Sequence, residues 1–217
     1  RESLLFAQQR VSAVIVTRQQ DITGWVRRGF PKSQTPPDTN GGTACPITAD
    51  GYFLTADHVV KNDATQAVHL LYGRGRSLQI GRGRVLWRDP KHDLAIVHAP
   101  LSTPSFYQFT PPASPIPEGT TVFHGGLTTG LKAQFGSLNT TIPAQSIFSK
   151  PTPFRIDIPL QPGDSGGPIL DGGARLIGIN SSVEFLIPLE TPIFTESSGV
   201  RPNVRKLMKI IELDRRR

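Results

Sequence analysis

Glycine and proline punctuate this chain so often that long helices are excluded from most of it. The sequence holds 21 glycines and 20 prolines among its 217 residues. Proline breaks helix interiors, glycine weakens both helices and strands, and both residues favour turns. Short apolar runs lie between these turn signals. We therefore predict an all-β fold of antiparallel strands near residues 11–17, 51–56, 66–72, 77–87, 94–98, 121–124, 154–158, 168–170, 175–180 and 183–187.

The cysteine and histidine content excludes several classes of protein. Cys45 is the only cysteine, so the chain forms no internal disulfide and no thiolate cluster for zinc or iron. The five histidines lack the spacing of a zinc finger, and we expect no metal and no cofactor. Hydrophobic residues make up 37% of the chain, enough for a core, but no apolar stretch approaches the length of a membrane-spanning helix.

The positive charge is concentrated in two segments. The formal net charge is +7, and residues 73–91 and 201–217 each carry +5 of it, so the remainder is negative. Such segments attract nucleic acid, anionic lipid or acidic proteins. No aromatic residues alternate with these charges and no nucleic-acid motif accompanies them. We therefore interpret the segments as a solvated hairpin and a solvated helix face, and we do not expect nucleic acid as a partner.

The chain divides into two sets of strands within one domain spanning 1–217. A short helical or irregular arm precedes the first strand, and residues 18–42 form a Pro-rich loop predicted to be an irregular, mobile excursion. A Pro- and Ser-rich stretch separates the two sets. Pro202 is predicted to be the first residue of a C-terminal helix with an apolar face. The expected parts are a first module at 11–100, a connection at 101–118, a second module at 119–200 and a helix at 201–213.

The stretch Gly163-Asp164-Ser165-Gly166-Gly167-Pro168 carries the strongest chemical signal. Glycines on both sides of a serine allow a tight turn that brings two backbone N–H groups to one side. The N–H groups of Gly163 and Ser165 would then form an oxyanion hole for a carbonyl attacked by the Ser165 hydroxyl. The alternative for the stretch taken alone is a glycine-rich turn that holds an incidental serine.

A serine nucleophile requires a base and a carboxylate that orients it. His58 follows an apolar run in Leu-Thr-Ala-Asp-His, and Asp93 precedes another in His-Asp-Leu-Ala-Ile-Val. Each residue alone would be interpreted as structural, His58 as a buried histidine with satisfied hydrogen bonds and Asp93 as a turn residue. Their order with Ser165 instead predicts a catalytic triad.

These motifs resemble the chymotrypsin-like (trypsin-like) serine proteases, and most closely the protease domain of the HtrA/Deg branch. The resemblance covers about residues 40–212, including the run from Gly42 into the histidine motif and the run from Asp157 into the serine motif. It implies two six-stranded antiparallel β-barrels with a C-terminal α-helix and an active site between the barrels. It also implies a serine endopeptidase that forms an acyl-enzyme on Ser165, with His58 as general base and acid and Asp93 as the orienting carboxylate.

The resemblance also implies where substrate binds. The family places the floor of the specificity pocket about six residues before the serine, which here is Pro159 beside Leu160. Because no carboxylate lies there, we expect a small or medium apolar residue before the cleaved bond. Ile179, Asn180 and Ser181 are expected to pair with the backbone of a protein or peptide substrate.

The chain departs from the HtrA pattern at several points. Residue 164 is aspartate where that branch usually has asparagine, and we expect no PDZ module after the helix. The N-terminal arm and residues 18–42 are candidate segments for oligomer assembly. The chain begins with Arg1, so we expect a processed or excised product. The resemblance implies a secreted or periplasmic protein, with a cytoplasmic location left open.

Two alternatives remain open at this stage. One is a viral protease of the same fold that processes a polyprotein, which would explain the missing methionine and the Arg-rich segments. The other is a non-catalytic basic β-barrel that binds nucleic acid or anionic surfaces through residues 73–91 and 201–217.

Overall fold

Two antiparallel β-sheets follow one another along the chain and form most of the structure. A computed structural model describes the protein at residues 2–29, 35–61, 64–127, 134–161, 163–186 and 193–217. Within these ranges no helix is long and apolar enough to cross a membrane. The predicted all-β architecture with a C-terminal helix is confirmed, and the two sheets form a nearly closed barrel and a half-barrel, as in a chymotrypsin-like double barrel.

The first sheet contains seven strands in the order β2-β1-β5-β6-β7-β4-β3. Only Ala44 separates the two edge strands, so the sheet curls round until its edges nearly meet. The resemblance predicted six strands, and the seventh arises because the chain breaks at Ala44 into two short strands. The bounds are β1 (Ser12–Thr17), β2 (Asn40–Thr43), β3 (Cys45–Pro46), β4 (Tyr52–Thr55), β5 (Ala67–Tyr72), β6 (Gln79–Asp89) and β7 (Leu94–His98).

The second sheet contains six strands in the order β10-β13-β12-β11-β8-β9. An isolated bridge between Leu138 and Ile156 links its two edges. The predicted runs at 175–180 and 183–187 form one strand with a register shift between Asn180 and Ser182, and residue 187 lies outside the described residues. The bounds are β8 (Thr121–His124), β9 (Gln134–Ser137), β10 (Thr152–Ile156), β11 (Pro168–Asp171), β12 (Leu176–Leu186) and β13 (Ile193–Arg201).

The main hydrophobic core joins the two barrels. Buried residues of the first sheet, such as Phe53 and Ile96, belong to the same cluster as Leu170 and Ile179 of the second sheet. A second cluster that includes Ile158 and Leu160 fills the second barrel alone. Because the first cluster crosses between the sheets, the loops at that boundary are held by both barrels.

The prediction of an irregular loop throughout residues 18–42 was wrong. The helix α2 (Thr23–Arg27) lies in that segment, after the N-terminal helix α1 (Glu2–Gln9) and β1. Trp25 and Val26 are buried against Ile15 and Leu71 on the outer face of the first barrel. The prolines of this segment favour an irregular loop, but its apolar residues form a helix that packs on the barrel, and Pro31 lies outside the described residues.

The C-terminal helix α3 (Val204–Arg215) begins two residues later than predicted. Asn203 is its N-cap, and the Asn203 side chain accepts a hydrogen bond from the Lys206 backbone N–H at 3.1 Å. Pro202 therefore precedes the cap and is not the first helical residue. Val204, Leu207 and Ile211 form the buried face of the helix.

The basic segments are not simply solvated. Arg201 is fully buried and donates to the Pro111 carbonyl at 3.0 Å, so the solvated-surface interpretation was wrong for this residue. Arg84 and Arg215 lie at the surface and pair with Asp214 and Asp50, each at 2.6 Å. Part of the basic charge therefore connects α3 to the first barrel.

Candidate active site

His58 lies in a tight turn that an ion pair holds in place. The chain leaves β4 into a 3-10 turn at Asp57–Val59, and the His58 side chain is 51% exposed. The neighbouring Asp57 is buried and accepts two hydrogen bonds from Arg88, at 2.6 and 2.9 Å. Such a two-bond pair fixes both side chains in one plane. It therefore fixes the turn that presents the imidazole.

Asp93 lies in the turn between β6 and β7 and is held by three donors. Its φ is +53°, in the left-handed region that aspartate adopts more readily than most residues. Asp93 Oδ1 accepts from the His58 backbone N–H at 2.9 Å, and Oδ2 lies 2.9 Å from His58 Nδ1. The Ser181 hydroxyl donates to Oδ2 at 2.5 Å. The structure thus brings His58, Asp93 and Ser181 into one network.

The network shifts the acidity of both ionisable members. The hydrogen bond that the His58 ring donates to Asp93 raises the pKa of His58 above its ordinary value, although partial burial opposes the shift. Burial acts to raise the pKa of Asp93, but the hydrogen bonds from His58 and Ser181 outweigh it and hold that pKa below its ordinary value. Asp93 is therefore an anion at neutral pH that stabilises the protonated form of His58.

Ser165 lies in a loop held between β2 and β12. The Ser165 carbonyl accepts from the Thr43 N–H at 2.9 Å, and the Gly166 N–H donates to the Asn180 carbonyl at 2.8 Å. These groups belong to one trans peptide, whose C=O and N–H point in opposite directions. The strands β2 and β12 therefore lie on opposite sides of Ser165.

Gly166 lets this loop approach the turn that carries His58. Its φ is +81°, and a Cβ at this position would overlap with the Thr43 carbonyl oxygen and with the hydroxyl of Thr55, which lies two residues before the histidine turn begins. Ser165 and His58 are both described, and no hydrogen bond joins the Ser165 hydroxyl to the His58 imidazole. In unliganded enzymes this contact is often long and tightens when substrate binds.

The two predicted oxyanion donors are open. Neither Gly163 N–H nor Ser165 N–H donates to an acceptor among the described residues. Gly163 has a φ of +97°, and its carbonyl is turned toward the first barrel, where it accepts from the Thr43 hydroxyl at 2.9 Å. The N–H groups of Gly163 and Ser165, on either side of Asp164 in sequence, can therefore donate to an oxygen that gains negative charge.

The predicted substrate-binding residues fall into two groups. Leu160 and Ile179 are buried in the two cores, so their side chains are not available to a ligand. Pro159 is exposed, whereas Asn180 is buried. The pairing of β11 with β12 ends at Ile179, while β12 continues beside β13. Among the described residues, one backbone edge of β12 is therefore unpaired from Ser181 onward.

Sequence reasoning missed two interactions of this site. Ser181 was assigned to substrate pairing, but its hydroxyl binds Asp93, and nothing in its spacing from Asp93 indicates that contact. The pairing of Asp57 with Arg88 was also missed. A signal existed for the second, because a carboxylate directly before His58, in a run that is otherwise apolar, requires a partner when buried.

A double β-barrel with a hydrogen-bonded His–Asp pair beside a glycine-rich serine loop defines the class of chymotrypsin-like hydrolases. The family model of the trypsin-like peptidase domain matches residues 42–179. The chain belongs to this family of trypsin-like peptidase domains, and its curated relatives are HtrA- and DegP-like.

Two curated relatives illustrate the similarity. A protein named serine protease HtrA-like from Staphylococcus epidermidis is 28% identical over 197 residues, which cover 82% of this chain and 32% of the relative. A probable periplasmic serine endoprotease DegP-like from Pseudomonas fluorescens is 26% identical over 172 residues, 72% of this chain and 33% of the relative. The chain thus spans about a third of the length of these relatives.

Solved structures show the same fold. The HtrA-type protease AlgW with a tripeptide superposes with a TM-score of 0.66 at 18% identity, covering 98% of this chain and 64% of that one. The structure of Deg5 gives a TM-score of 0.63 at 14% identity, with 96% and 90% covered. At these identities the likeness concerns the fold alone.

Proposed function

We propose that this protein is a serine endopeptidase that hydrolyses peptide bonds through an acyl-enzyme on Ser165. The observation that carries the proposal is the network of His58, Asp93 and Ser181 beside a loop whose Gly163 and Ser165 N–H groups have no acceptor in the part of the chain that the structure describes. A neutral His58 whose Nδ1–H points at an anion has its Nε2 lone pair free to act as a base. Binding alone would need no such arrangement.

These positions support the following mechanism. As Ser165 Oγ bonds to the carbonyl carbon of the scissile peptide, its proton passes to His58 Nε2 and the carbonyl oxygen becomes an anion that accepts from Gly163 and Ser165 N–H. The C–N bond then breaks as His58 returns the proton to the leaving amine. Water repeats the sequence, with His58 again taking and returning a proton, and frees the acid from Ser165.

The strands on the two sides of Ser165 indicate how a polypeptide lies in the site. The residues before the cleaved bond would pair with the unpaired edge of β12 from Ser181 onward. Since β2 lies on the opposite side of Ser165, the residues after the bond would run toward β2. An apolar cavity of about 350 Å³ lies there, lined in part by Val14, Gly42 and Gly163.

We propose which substrate side chain the site prefers from the lack of a carboxylate near Pro159. Pro159 and its neighbours offer no carboxylate, so a small or medium apolar residue is expected before the cleaved bond. The cavity near Gly42 suits an apolar residue after the bond. The names of two relatives state a periplasmic location, and we propose a secreted or periplasmic location here as well.

Labelling with a phosphonate probe that reacts only with an activated serine tests the proposal. The native protein should be labelled at Ser165 and should cleave an unstructured protein, and Ser165→Ala should lose both while unfolding at the same temperature. We expect turnover to fall by on the order of a millionfold in that variant. A library cleavage profile tests the preference, and predominance of Lys or Arg before the bond would contradict it. An unlabelled native protein with no cleavage of any substrate would contradict the function.

A further inference from the structure

The apolar cavity beside Gly42 is a trough that crosses neighbouring strands of the first sheet. Its lining begins at Gly163 and Gly42, passes Ala13 of β1, and ends at Leu71 of β5 and at Leu78, just before β6. These strands are adjacent in the order β2-β1-β5-β6. Since neighbouring strands lie about 4.8 Å apart, the trough extends about 10 Å from the candidate oxyanion site. All of its lining residues are apolar or glycine.

The trough ends at a hairpin, residues 73–78, whose backbone is held in one shape. The hairpin connects β5 to β6. The Arg74 carbonyl accepts from the Ser77 N–H at 3.0 Å and from the Ser77 hydroxyl at 2.8 Å. Gly73, which lines the trough, has a φ of +89°, and its N–H donates to the Val11 carbonyl at 3.0 Å. The backbone that carries the two arginines of the hairpin is therefore fixed at the end of the trough.

The surface at this end of the trough is positively charged. Arg74 and Arg76 are exposed on the hairpin, and Arg27 of α2 lines a second cavity of about 590 Å³ together with Arg76 and Leu78. No ion pair joins these three arginines to a carboxylate in the described part of the chain. Asp21 interacts electrostatically with Arg27 but does not contact it as an ion pair. Because Leu78 lines both cavities, positive charge begins where the apolar trough ends.

We propose that the substrates of this protein carry acidic residues a few positions after the cleaved bond, and that Arg27, Arg74 and Arg76 bind those residues. The proposal rests on the endopeptidase function proposed above and adds a substrate class to it. An extended polypeptide advances about 3.3 Å per residue, so about three residues after the bond fill the trough. The fourth to sixth residues after the bond then reach the hairpin, where Asp or Glu side chains pair with the arginines.

An acidic polypeptide fits this surface better than a nucleic acid does. A nucleic acid carries a phosphate on every nucleotide and requires cations along its whole path, whereas the path here is apolar for about 10 Å before the first arginine. In the described part of the chain, neither cavity is lined by an aromatic side chain on which a base could stack. A polypeptide can place apolar residues in the trough and carboxylates beyond it.

Two internally quenched peptides that differ only at the fourth to sixth residues after the bond test the preference. Both carry the same apolar residue before the bond, and one has glutamates at those positions where the other has glutamines. Each exposed ion pair strengthens binding about two- to threefold, so the native protein should cleave the Glu peptide with a kcat/KM about tenfold higher. The difference should lie mainly in KM, because the arginines do not touch the reacting atoms. It should largely disappear in about 0.5 M NaCl.

Charge reversal on the hairpin tests which residues are responsible. The double variant Arg74→Glu/Arg76→Glu should lose the preference and should cleave a peptide with lysines at the same positions faster than the Glu peptide. Arg205→Glu/Lys209→Glu is the matched control, because it makes the same change in net charge at exposed positions of α3. That part of α3 lies beside Trp87, at the opposite end of β6 from the hairpin. The control should keep the preference of about tenfold for the Glu peptide.

A binding measurement on Ser165→Ala protein needs no turnover. A fluorescent peptide with the sequence that follows the bond should bind at least about fivefold more tightly with glutamates than with glutamines, and the hairpin reversal should remove the difference.

Equal kcat/KM and equal affinity for the Glu and Gln peptides would overturn the proposal, as would a hairpin reversal that keeps the preference. If the reversed hairpin does not fold, the two peptides on the native protein decide the question. A DNA oligonucleotide that binds at the arginines where the Glu peptide does not would assign them to nucleic acid and overturn the proposal as well. Absence of phosphonate labelling in the native protein would instead refute the endopeptidase function, and the binding difference would remain as the separate test of the arginines.

Discussion

At the scale of single residues, the site depends on how one carboxylate is held. Asp93 occupies a left-handed backbone position and receives hydrogen bonds from His58 and Ser181, which fix both of its oxygens. A carboxylate with several donors remains anionic and cannot rotate freely. The orientation of the His58 ring is therefore set from the Asp93 side, before any substrate arrives.

The pKa shift of His58 predicts the acid side of the activity profile. Asp93 raises the pKa of His58, and the protonated ring cannot act as a base, so activity should fall as the pH drops through that raised pKa. The midpoint should lie above about 6.5, the ordinary value for histidine. Asp93→Asn should lower kcat by about 10⁴-fold and move the midpoint down. Initial rates from pH 5 to 9 on a peptide substrate measure both, and an unmoved midpoint would argue against the assigned role of Asp93.

The buried carboxylate beside His58 gives a prediction about stability. Arg88→Met leaves Asp57 buried without its two hydrogen bonds and should lower the free energy of unfolding by about 2 kcal/mol. Arg82→Met is the matched control, because Arg82 lies on the same strand and donates to the Gln20 side chain at the surface. It should cost under about 0.5 kcal/mol. Urea unfolding curves give both values. Equal losses in the free energy of unfolding would mean that the Asp57–Arg88 pair stabilises the fold no more than the surface contact of Arg82.

At the scale of elements, the sequence predicted the strands that are apolar and missed those that are not. The runs ending at His58 and starting after Asp93 were found because buried residues are continuous there. The Asn-Gly-Gly-Thr of β2 carries no such signal, since its pairing with β1 and its approach to Ser165 need small residues. The order of His58, Asp93 and Ser165 was readable because each motif is local, whereas the Ser181 contact depends on how the barrels meet.

A substitution in helix α2 tests whether this helix, which the Pro-rich composition did not predict, contributes to stability. Trp25 is 8% exposed and packs with Ile15 and Leu71, so Trp25→Ala should lower the free energy of unfolding by about 3 kcal/mol. Arg27→Ala, on the exposed side of the same helix, should change it by less than about 0.5 kcal/mol. Chemical denaturation measures the difference. A Trp25 variant as stable as the Arg27 control would restore the view of this segment as a mobile excursion.

At the scale of the whole molecule, the last helix of the chain stabilises the first barrel. Asp214 of α3 accepts from the Tyr52 hydroxyl at 2.9 Å and from Arg84 at 2.6 Å, while Leu207 and Ile211 enter the core shared by the two sheets. Helix α3 follows the last strand of the second sheet and packs against the first barrel. The second barrel therefore cannot separate from the first unless α3 leaves its position.

The contact between α3 and the first barrel can be tested through the pKa values of Asp214 and Tyr52. Burial and then the hydrogen bond to Asp214 raise the pKa of Tyr52 to about 12, and the pairing with Arg84 lowers the pKa of Asp214. A lowered carboxyl pKa gives stability that is present above about pH 4, the ordinary unfolded value, and is lost as the pH falls through the folded value. Asp214→Asn should therefore be less stable than native by about 1 kcal/mol at pH 7, with the difference shrinking below pH 4.

Ultraviolet titration should show the phenolate of Tyr52 forming at lower pH in Asp214→Asn, with Tyr52→Phe identifying the signal. Asp50→Asn is the control, because the pair of Asp50 with Arg215 is half-exposed and its removal should cost less than about 0.5 kcal/mol. If Asp214→Asn lost no more stability than that control at pH 7 and left the pKa of Tyr52 unchanged, the apolar face of α3 alone would hold the helix on the first barrel. The polar contacts at its end would then follow from the docking of the helix and not contribute to it.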